Sequence, residues 1–114
     1  MTDFSSSTSF PQGGVGLVEL TGEVDLYTAP RFKEDLVSVI DAGARTVVVD
    51  LSGVTFIDST ALGVVISGVK RMAEVDGRLV VVASSRPVVR ILDITGLDKV
   101  LTIVADRDAA LAEA

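Results

Sequence analysis

Apolar positions along the chain switch repeatedly between two spacings, one typical of strands and one typical of helices. Short β-branched runs, of which Thr46 to Leu51 and Leu79 to Ala83 are the clearest, lack polar alternation, as expected for strands buried on both faces. Between these runs, apolar residues recur every three or four positions, which predicts helices packed on one side. Strands that alternate with helices favour right-handed crossovers and a mostly parallel sheet.

Turn and capping residues predict the order of a β-hairpin followed by α, β, α, β, α, β and α. In the hairpin, a weak edge strand over Thr8 to Phe10 would pair with Val15 to Thr21 across a turn at Pro11 to Gly14. Residues 1–8 are expected to be flexible or weakly paired, and residues 9–114 to form one α/β domain. The mixed, mostly parallel sheet is expected to have four to five strands that alternate with four helices.

The longest predicted helix begins at Ser59 and ends near Glu74, after a loop over residues 53–60. Its inward stripe is expected to consist of Leu62, Val65, Ile66, Val69, Met72 and Ala73. Ser84 and Ser85 are expected to cap the next helix.

The amino-acid composition excludes several classes of catalytic, metal-binding and disulfide chemistry. The 114 residues include no histidine and no cysteine, which excludes Ser-His-Asp and Cys-His nucleophiles, zinc sites built from these ligands, and disulfides. Lys70 and Arg71 interrupt the apolar helix, so no segment is long enough to span a membrane. The net charge of −6 argues against nucleic acid. We therefore predict no metal, cofactor, nucleic acid or membrane partner, and a cytoplasmic protein, since disulfides and a signal-peptide pattern are both lacking.

The junction at Asp58, Ser59 and Thr60 is the most informative part of the sequence. The first N–H groups of a helix have no internal partner, and the helix dipole places partial positive charge there. Such a position holds a carboxylate or a phosphate well. Two interpretations stay open, because these residues either only cap the helix or also carry a modification.

Polar loops are expected to meet at the carboxyl edge of the parallel strands, where α/β proteins usually bind ligands. These loops bring Asp25, the junction over residues 58–60 and residues 84–86 together, with apolar Leu26 and Phe56 nearby. No strong base or nucleophile-activating group is among them, which argues against an enzyme that uses Ser59 or Asp58. Asp25 alone is more typical of a turn residue than of a ligand.

Three segments of the chain resemble motifs of the STAS domain family, and most closely those of bacterial anti-sigma factor antagonists. They are Leu20 to Pro30 (LTGEVDLYTAP), Val49 to Gly63 (VDLSGVTFIDSTALG) and Ile91 to Val100 (ILDITGLDKV). The resemblance covers the chain from about Phe10 to Ala110. It implies a STAS fold and a binding module rather than an enzyme.

The resemblance also implies a partner switch. The unmodified domain would bind an anti-sigma factor, itself a serine kinase of the histidine-kinase-like ATPase fold, and so free the sigma factor. Phosphorylation on Ser59 would end binding, and a metal-dependent serine phosphatase would reverse it. The residues expected to border the partner are Asp25, Leu26, Phe56, Asp58, Thr60, Leu62, Gly63 and Val64. The alternative is a STAS module with a sigma-independent partner, in a stress-signalling complex or as a transporter accessory component, but the intact Asp-Ser motif favours the phosphorylated branch.

Overall fold

The computed structural model describes residues 3–113 and shows the predicted alternation of strands and helices. The predicted α/β class, mixed sheet, N-terminal hairpin and four helices are confirmed within this part of the chain. The elements are β1 (Ser5–Gln12), β2 (Val15–Val24), α1 (Ala29–Asp41), β3 (Thr46–Ile57), α2 (Ser59–Glu74), β4 (Arg78–Val82), α3 (Arg86–Ile94), a 3-10 turn (Leu97–Lys99), β5 (Thr102–Val104) and α4 (Arg107–Ala112).

The five strands lie side by side in chain order, with β1 antiparallel to β2 and the other pairs parallel. Helices α1, α2 and α3 share the main core with alternate strand residues such as Val47 and Val49. Helix α4 packs on the other face of the sheet, where Ala110 joins a smaller cluster with Val48 and Val80. Side chains that alternate along a strand therefore supply both cores, which explains the unbroken apolar runs.

The first strand begins earlier and ends later than the sequence predicted. Ser5 to Ser9 pair with β2, and Pro11 and Gln12 belong to the strand, so Gly13 and Gly14 alone form the turn. Gly14 has a φ of 77°, a conformation that glycine adopts without steric cost. Because β1 is an exposed edge strand, its serines and threonines show no apolar alternation that could have marked it. Asp3 and Phe4 precede β1 without regular structure, and Phe4 packs against the main core. Met1 and Thr2, the rest of the predicted 1–8 segment, lie outside the described residues.

Strand β3 also runs further than predicted, and two bulges, one after Asp50 and one after Val54, let it continue beside β2. Asp50 pairs with Glu19 and Gly53 pairs with Thr21, so β3 holds one extra residue at the first bulge. The Asp50 carboxylate accepts hydrogen bonds from the Ser52 backbone N (2.9 Å) and Ser52 Oγ (2.6 Å). The strand then reaches Ile57, and residues 53–57 are not the loop that the sequence predicted. Ser59 is therefore carried by the end of a paired strand.

Arg107, at the start of α4, binds the same carboxylate on the face of the sheet that carries α4. Its Nη2 lies 2.8 Å from Asp50 Oδ2 and 2.8 Å from Glu19 Oε2. Burial alone would raise the pKa of Asp50, but hydrogen bonds from Ser52 and Arg107, with the charge of Arg107, lower it below its ordinary value of 3.8. Asp50 is 3% exposed, whereas Arg107 and Glu19 are 40% and 46% exposed, so this network ties the first bulge to α4 from a buried carboxylate to the solvent-facing margin of the sheet.

We expect Asp50→Asn to lower the free energy of unfolding by about 2 kcal/mol near neutral pH, because hydrogen bonds to a charged group are lost. Because the pKa of Asp50 is lower in the folded state than in the unfolded state, the ionised carboxylate stabilises the fold at pH values above the ordinary carboxyl pKa. This contribution to stability disappears as pH falls below about 4. The wild type should lose stability in that range more steeply than Asp50→Asn. Denaturant titrations at several pH values test this, with Asp41→Asn, from the exposed Arg71 pair, as control. If the free energy of unfolding changes equally steeply with pH in the wild type, Asp50→Asn and Asp41→Asn, the expectation is contradicted.

Candidate functional site

Asp58 caps helix α2 and also holds the neighbouring loop. Its extended backbone (φ −110°, ψ −177°) lets Oδ1 accept a hydrogen bond from Ala61 N at 3.0 Å. Its second oxygen, Oδ2, accepts one from Leu26 N, also at 3.0 Å. One carboxylate therefore stabilises the helix N-terminus and fixes the loop over residues 25–28 against it.

This arrangement leaves the two hydroxyls after Asp58 free. Ser59 and Thr60 are the first two residues of α2, and both are exposed. Neither hydroxyl forms a hydrogen bond to any residue between 3 and 113. Because Asp58 supplies the cap, the structure assigns no capping role to Ser59.

The loop over residues 25–28 is a turn built on its own polar side chains. Asp25 Oδ1 accepts hydrogen bonds from Tyr27 N (2.9 Å) and Thr28 N (3.1 Å). Thr28 Oγ1 donates to Glu23 O (3.0 Å), so Thr28 precedes α1 without capping it through its side chain. The local role that the sequence suggested for Asp25 is therefore present. This turn keeps Leu26 and Tyr27 in solvent, 59% and 87% exposed.

The residues predicted to border a partner divide into exposed and buried groups. Phe56 is 48% exposed and Gly63 is exposed, with no atom within 4 Å of where a Cβ would lie. Leu62 is 6% exposed and packs into the main core, so its side chain offers almost nothing to a partner. Val64 is also buried, but with Leu26, Pro30, Lys33 and Thr60 it lines an open groove between α1 and α2.

Two expectations about α2 and α3 need correction. Ala73 is exposed, and Gly68 is buried in its place on the inward side of α2, where a Cβ would lie only 2.8 Å from Leu36 Cδ2. Ser85 precedes α3 but does not cap it, because its hydroxyl donates to Val54 O (2.7 Å) and so ties α3 to β3. Ser84 and Arg86 are exposed.

Tyr27 is the exposed residue near Ser59 that the sequence did not single out as a contact. Tyr27 is 87% exposed and follows Leu26, which is 59% exposed, and exposed apolar and aromatic side chains grouped in this way are typical of a binding surface. The signal was its position between Asp25 and Thr28, two turn-forming residues that keep the intervening side chains outside.

Between residues 3 and 113, no three acidic, histidine or cysteine side chains are grouped so that they could hold a metal ion. In the same range, none of the helices combines the length and apolar character needed to cross a membrane.

Comparison with known proteins identifies the family. The family model described as the STAS domain matches residues 11–110. The chain belongs to the STAS domain family. The match confirms the resemblance seen in the three sequence segments and spans all the residues that surround Ser59.

Among related STAS proteins, an anti-sigma-B factor antagonist from Staphylococcus epidermidis is 35% identical over 86 residues, which are 75% of this chain and 80% of that protein. A crystal structure of an anti-sigma factor antagonist from Mycobacterium paratuberculosis superposes with a TM-score of 0.89 at 27% identity, covering 97% of this chain and 93% of that one. Bacillus SpoIIAA in its phosphorylated form gives a TM-score of 0.74 at 18% identity, covering 96% and 100%, which shows a common fold alone.

The double role of Asp58 in this STAS domain can be tested against a second aspartate cap. Asp58→Ala should lower stability by about 1–2 kcal/mol and should make the Leu26 amide exchange faster, because both the cap and the loop tether are lost. Asp106→Ala is the matched control, since Asp106 caps α4 through Ala109 N (2.8 Å) far along the chain. Hydrogen exchange measures the overall stability and the exchange rate of the Leu26 amide in each variant. If Leu26 exchanges equally slowly in the two variants, Asp58 does not hold the loop.

Proposed function

We propose that this STAS domain is an anti-sigma factor antagonist controlled by phosphorylation on Ser59. In the unphosphorylated state it binds an anti-sigma factor that is also a serine kinase of the histidine-kinase-like ATPase fold, and this binding frees the sigma factor. The kinase phosphorylates Ser59 and thereby ends the association. A metal-dependent serine phosphatase restores the binding form. The names of the relatives support the anti-sigma part of this proposal.

The observation that supports the proposal most directly is that Asp58 makes the capping hydrogen bond, while the hydroxyl of Ser59 is left without a partner in the described part of the chain. Asp58 forms the hydrogen bonds that the helix end and the loop require. Ser59 is exposed and its hydroxyl has no partner within residues 3–113. A kinase can therefore reach this hydroxyl, and its modification removes no hydrogen bond of the fold.

Electrostatics explains why one phosphate is enough to switch binding. A phosphoserine carries about −1.5 to −2 charges near neutral pH. The N-terminus of the 16-residue helix α2 would stabilise that charge, so the domain itself need not rearrange. A partner surface fitted to a neutral hydroxyl would instead have to desolvate the charge beside Asp58. The switch is then a local change of charge at the contact.

The proposed contact surface consists of the exposed residues around Ser59. Leu26, Phe56 and Tyr27 would supply apolar contact area, and Gly63 would allow a partner backbone to approach closely. Asp58 and Thr60 lie at its centre, Val64 contributes only where it lines the groove, and Leu62 acts from the core by holding α2 in place. Asp25 acts through the shape of its turn, since its carboxylate is already engaged.

Affinity capture from the source cell tests the function while the partner is still unidentified. Immobilised unphosphorylated domain should retain a kinase of the histidine-kinase-like ATPase fold, and Ser59→Glu should retain much less of it. Ser38→Glu is a matched control for added charge, because Ser38 is also an exposed helical serine but lies near the C-terminal end of α1, away from the loop over residues 25–28. Capture of a transporter or a stress-signalling complex, with no ATPase-fold kinase, would support the sigma-independent alternative instead.

A further inference from the structure

Helix α3 presents an open groove to solvent that is separate from the groove beside Thr60. Val89, Leu92 and Ile103 line it, and Ile94 borders it at the end of the helix. Leu92 is buried, whereas Val89 and Ile94 are 44% and 66% exposed. Exposed aliphatic side chains grouped at a groove are typical of a contact surface rather than of open solvent.

The charged residues of this groove are separated by sign along the helix. Arg86 is the first residue of α3 and Arg90 is its middle residue, whereas Asp93 and Asp98 lie towards and beyond its C-terminal end. Among the ion pairs formed by residues 3–113, none involves any of these four side chains. Arg86 and Arg90 are four positions apart on one helix, which is an unfavourable arrangement of like charges. Asp93 is three positions after Arg90 but forms no ion pair with it, so both charges remain available to a partner.

We infer that this groove binds a second copy of the same chain, with the two α3 helices antiparallel across a two-fold axis. A two-fold contact requires a surface that is complementary to itself. A helix face that is basic at one end and acidic at the other meets this requirement when the partner helix runs in the opposite direction. The proposal concerns a surface outside the one assigned to the kinase.

One position of the two-fold axis brings opposite charges of the two copies close to each other. If the axis passes level with the peptide between Ile91 and Leu92, Arg90 of each copy lies opposite Asp93 of the other. Arg86 is then directed towards the end of the partner where Asp98 lies. At about 100° per residue, Val89 and Ile94 lie on opposite sides of the helix face that carries Arg86, Arg90 and Asp93. The two-fold axis therefore places the two Ile94 side chains on one side of the contact and the two Val89 side chains on the other.

Other classes of partner fit this surface less well. A nucleic acid or an anionic membrane would bring phosphates against Asp93 and Asp98, and a strongly basic protein would face Arg86 and Arg90. A second copy is the partner that offers both signs in the required order.

Sedimentation velocity over a concentration series tests the association directly. The wild type should shift from the 11.9 kDa chain mass towards twice that value as concentration rises to about 1 mM. Arg90→Glu and Asp93→Lys should each weaken the dimer at least about tenfold. The double variant Arg90→Glu/Asp93→Lys should restore it, because the exchanged charges face each other again.

Lys70→Glu is the matched control, since it makes the same change of charge at an exposed position of α2 outside the groove. Circular dichroism establishes that each variant is folded, and Ile94→Ser provides a charge-neutral variant that should also weaken the dimer. A wild type that stays monomeric throughout would overturn the proposal. So would a dimer that the single charge reversals leave unchanged, or one that the double variant does not restore.

Discussion

Ser59→Glu is expected to weaken binding to the anti-sigma factor kinase about tenfold or more, whereas Ser59→Ala should bind as tightly as the unmodified domain. The hydroxyl is exposed and forms no hydrogen bond within residues 3–113, so its removal costs the fold little. A carboxylate there adds charge beside Asp58 and must be desolvated at the contact. In the presence of ATP, Ser59→Ala should also remain bound when the wild type is released. Calorimetric titration with and without ATP measures both effects.

Thr60→Ala is the matched control that shows whether the effect is specific to the hydroxyl of Ser59. Thr60→Ala removes the neighbouring hydroxyl and should leave the ATP-dependent release in place, although Thr60 lines the groove between α1 and α2. Thermal unfolding of all three variants checks that the fold is intact. If Ser59→Ala, Ser59→Glu and the wild type bind with equal affinity, the switch is located elsewhere.

The second large effect is expected from the exposed apolar residues. Leu26→Ala, Tyr27→Ala and Phe56→Ala should each reduce kinase affinity about fivefold or more, because such side chains often dominate the energy of an interface. Since all three are at least 48% exposed, their loss should change the stability of the free domain by less than about 1 kcal/mol.

Val75→Ala is the matched control for these three substitutions. Val75 is 53% exposed, like Phe56, but it follows α2 at the opposite edge of the sheet, beside Asp76 to Arg78. The kinase should bind Val75→Ala normally, and amide shifts on addition of kinase should spare the segments over residues 43–45 and 76–78. A large loss in Val75→Ala, with Leu26, Tyr27 and Phe56 silent, would place the partner on the other edge.

The sequence predicted the fold well where one signal was sufficient. Buried β-branched runs marked the strands, and the helical period of apolar residues marked α1 to α3. Gly43 follows α1 with a φ of 94°, the left-handed conformation that a glycine just past a helix end commonly adopts. The side chain of Asp106 caps α4, a role typical of an aspartate that precedes a helix.

The sequence failed where long-range pairing decides the structure. The continuation of β3 to Ile57 passes through two bulges, and Asp50 at the first of them is bound by Arg107, which is 57 positions further along the chain. The start of β1 at Ser5 depends on backbone pairing with β2, which no pattern in a serine-rich edge strand reveals. Both features depend on which strands lie side by side, and local sequence patterns do not specify this.

The candidate site shows the same distinction. The motif at residues 58–60 placed Ser59 correctly at the start of α2, but it left open which residue caps the helix. The structure assigns the cap to Asp58 and shows that the same carboxylate holds Leu26 N. It also buries Leu62, which the sequence included both in the helix core and in the contact surface. Helical periodicity favoured the core, and that assignment is the one the structure supports.

Mapping of the phosphate by tandem mass spectrometry, after incubation with the cognate kinase and ATP, tests the central claim most directly. The proposal predicts one phosphate, on Ser59, and none on Ser59→Ala. Thr60 is one helical step of about 100° further round α2 and is expected to stay unmodified. A phosphate on Thr60, or one that Ser59→Ala retains, would contradict the account.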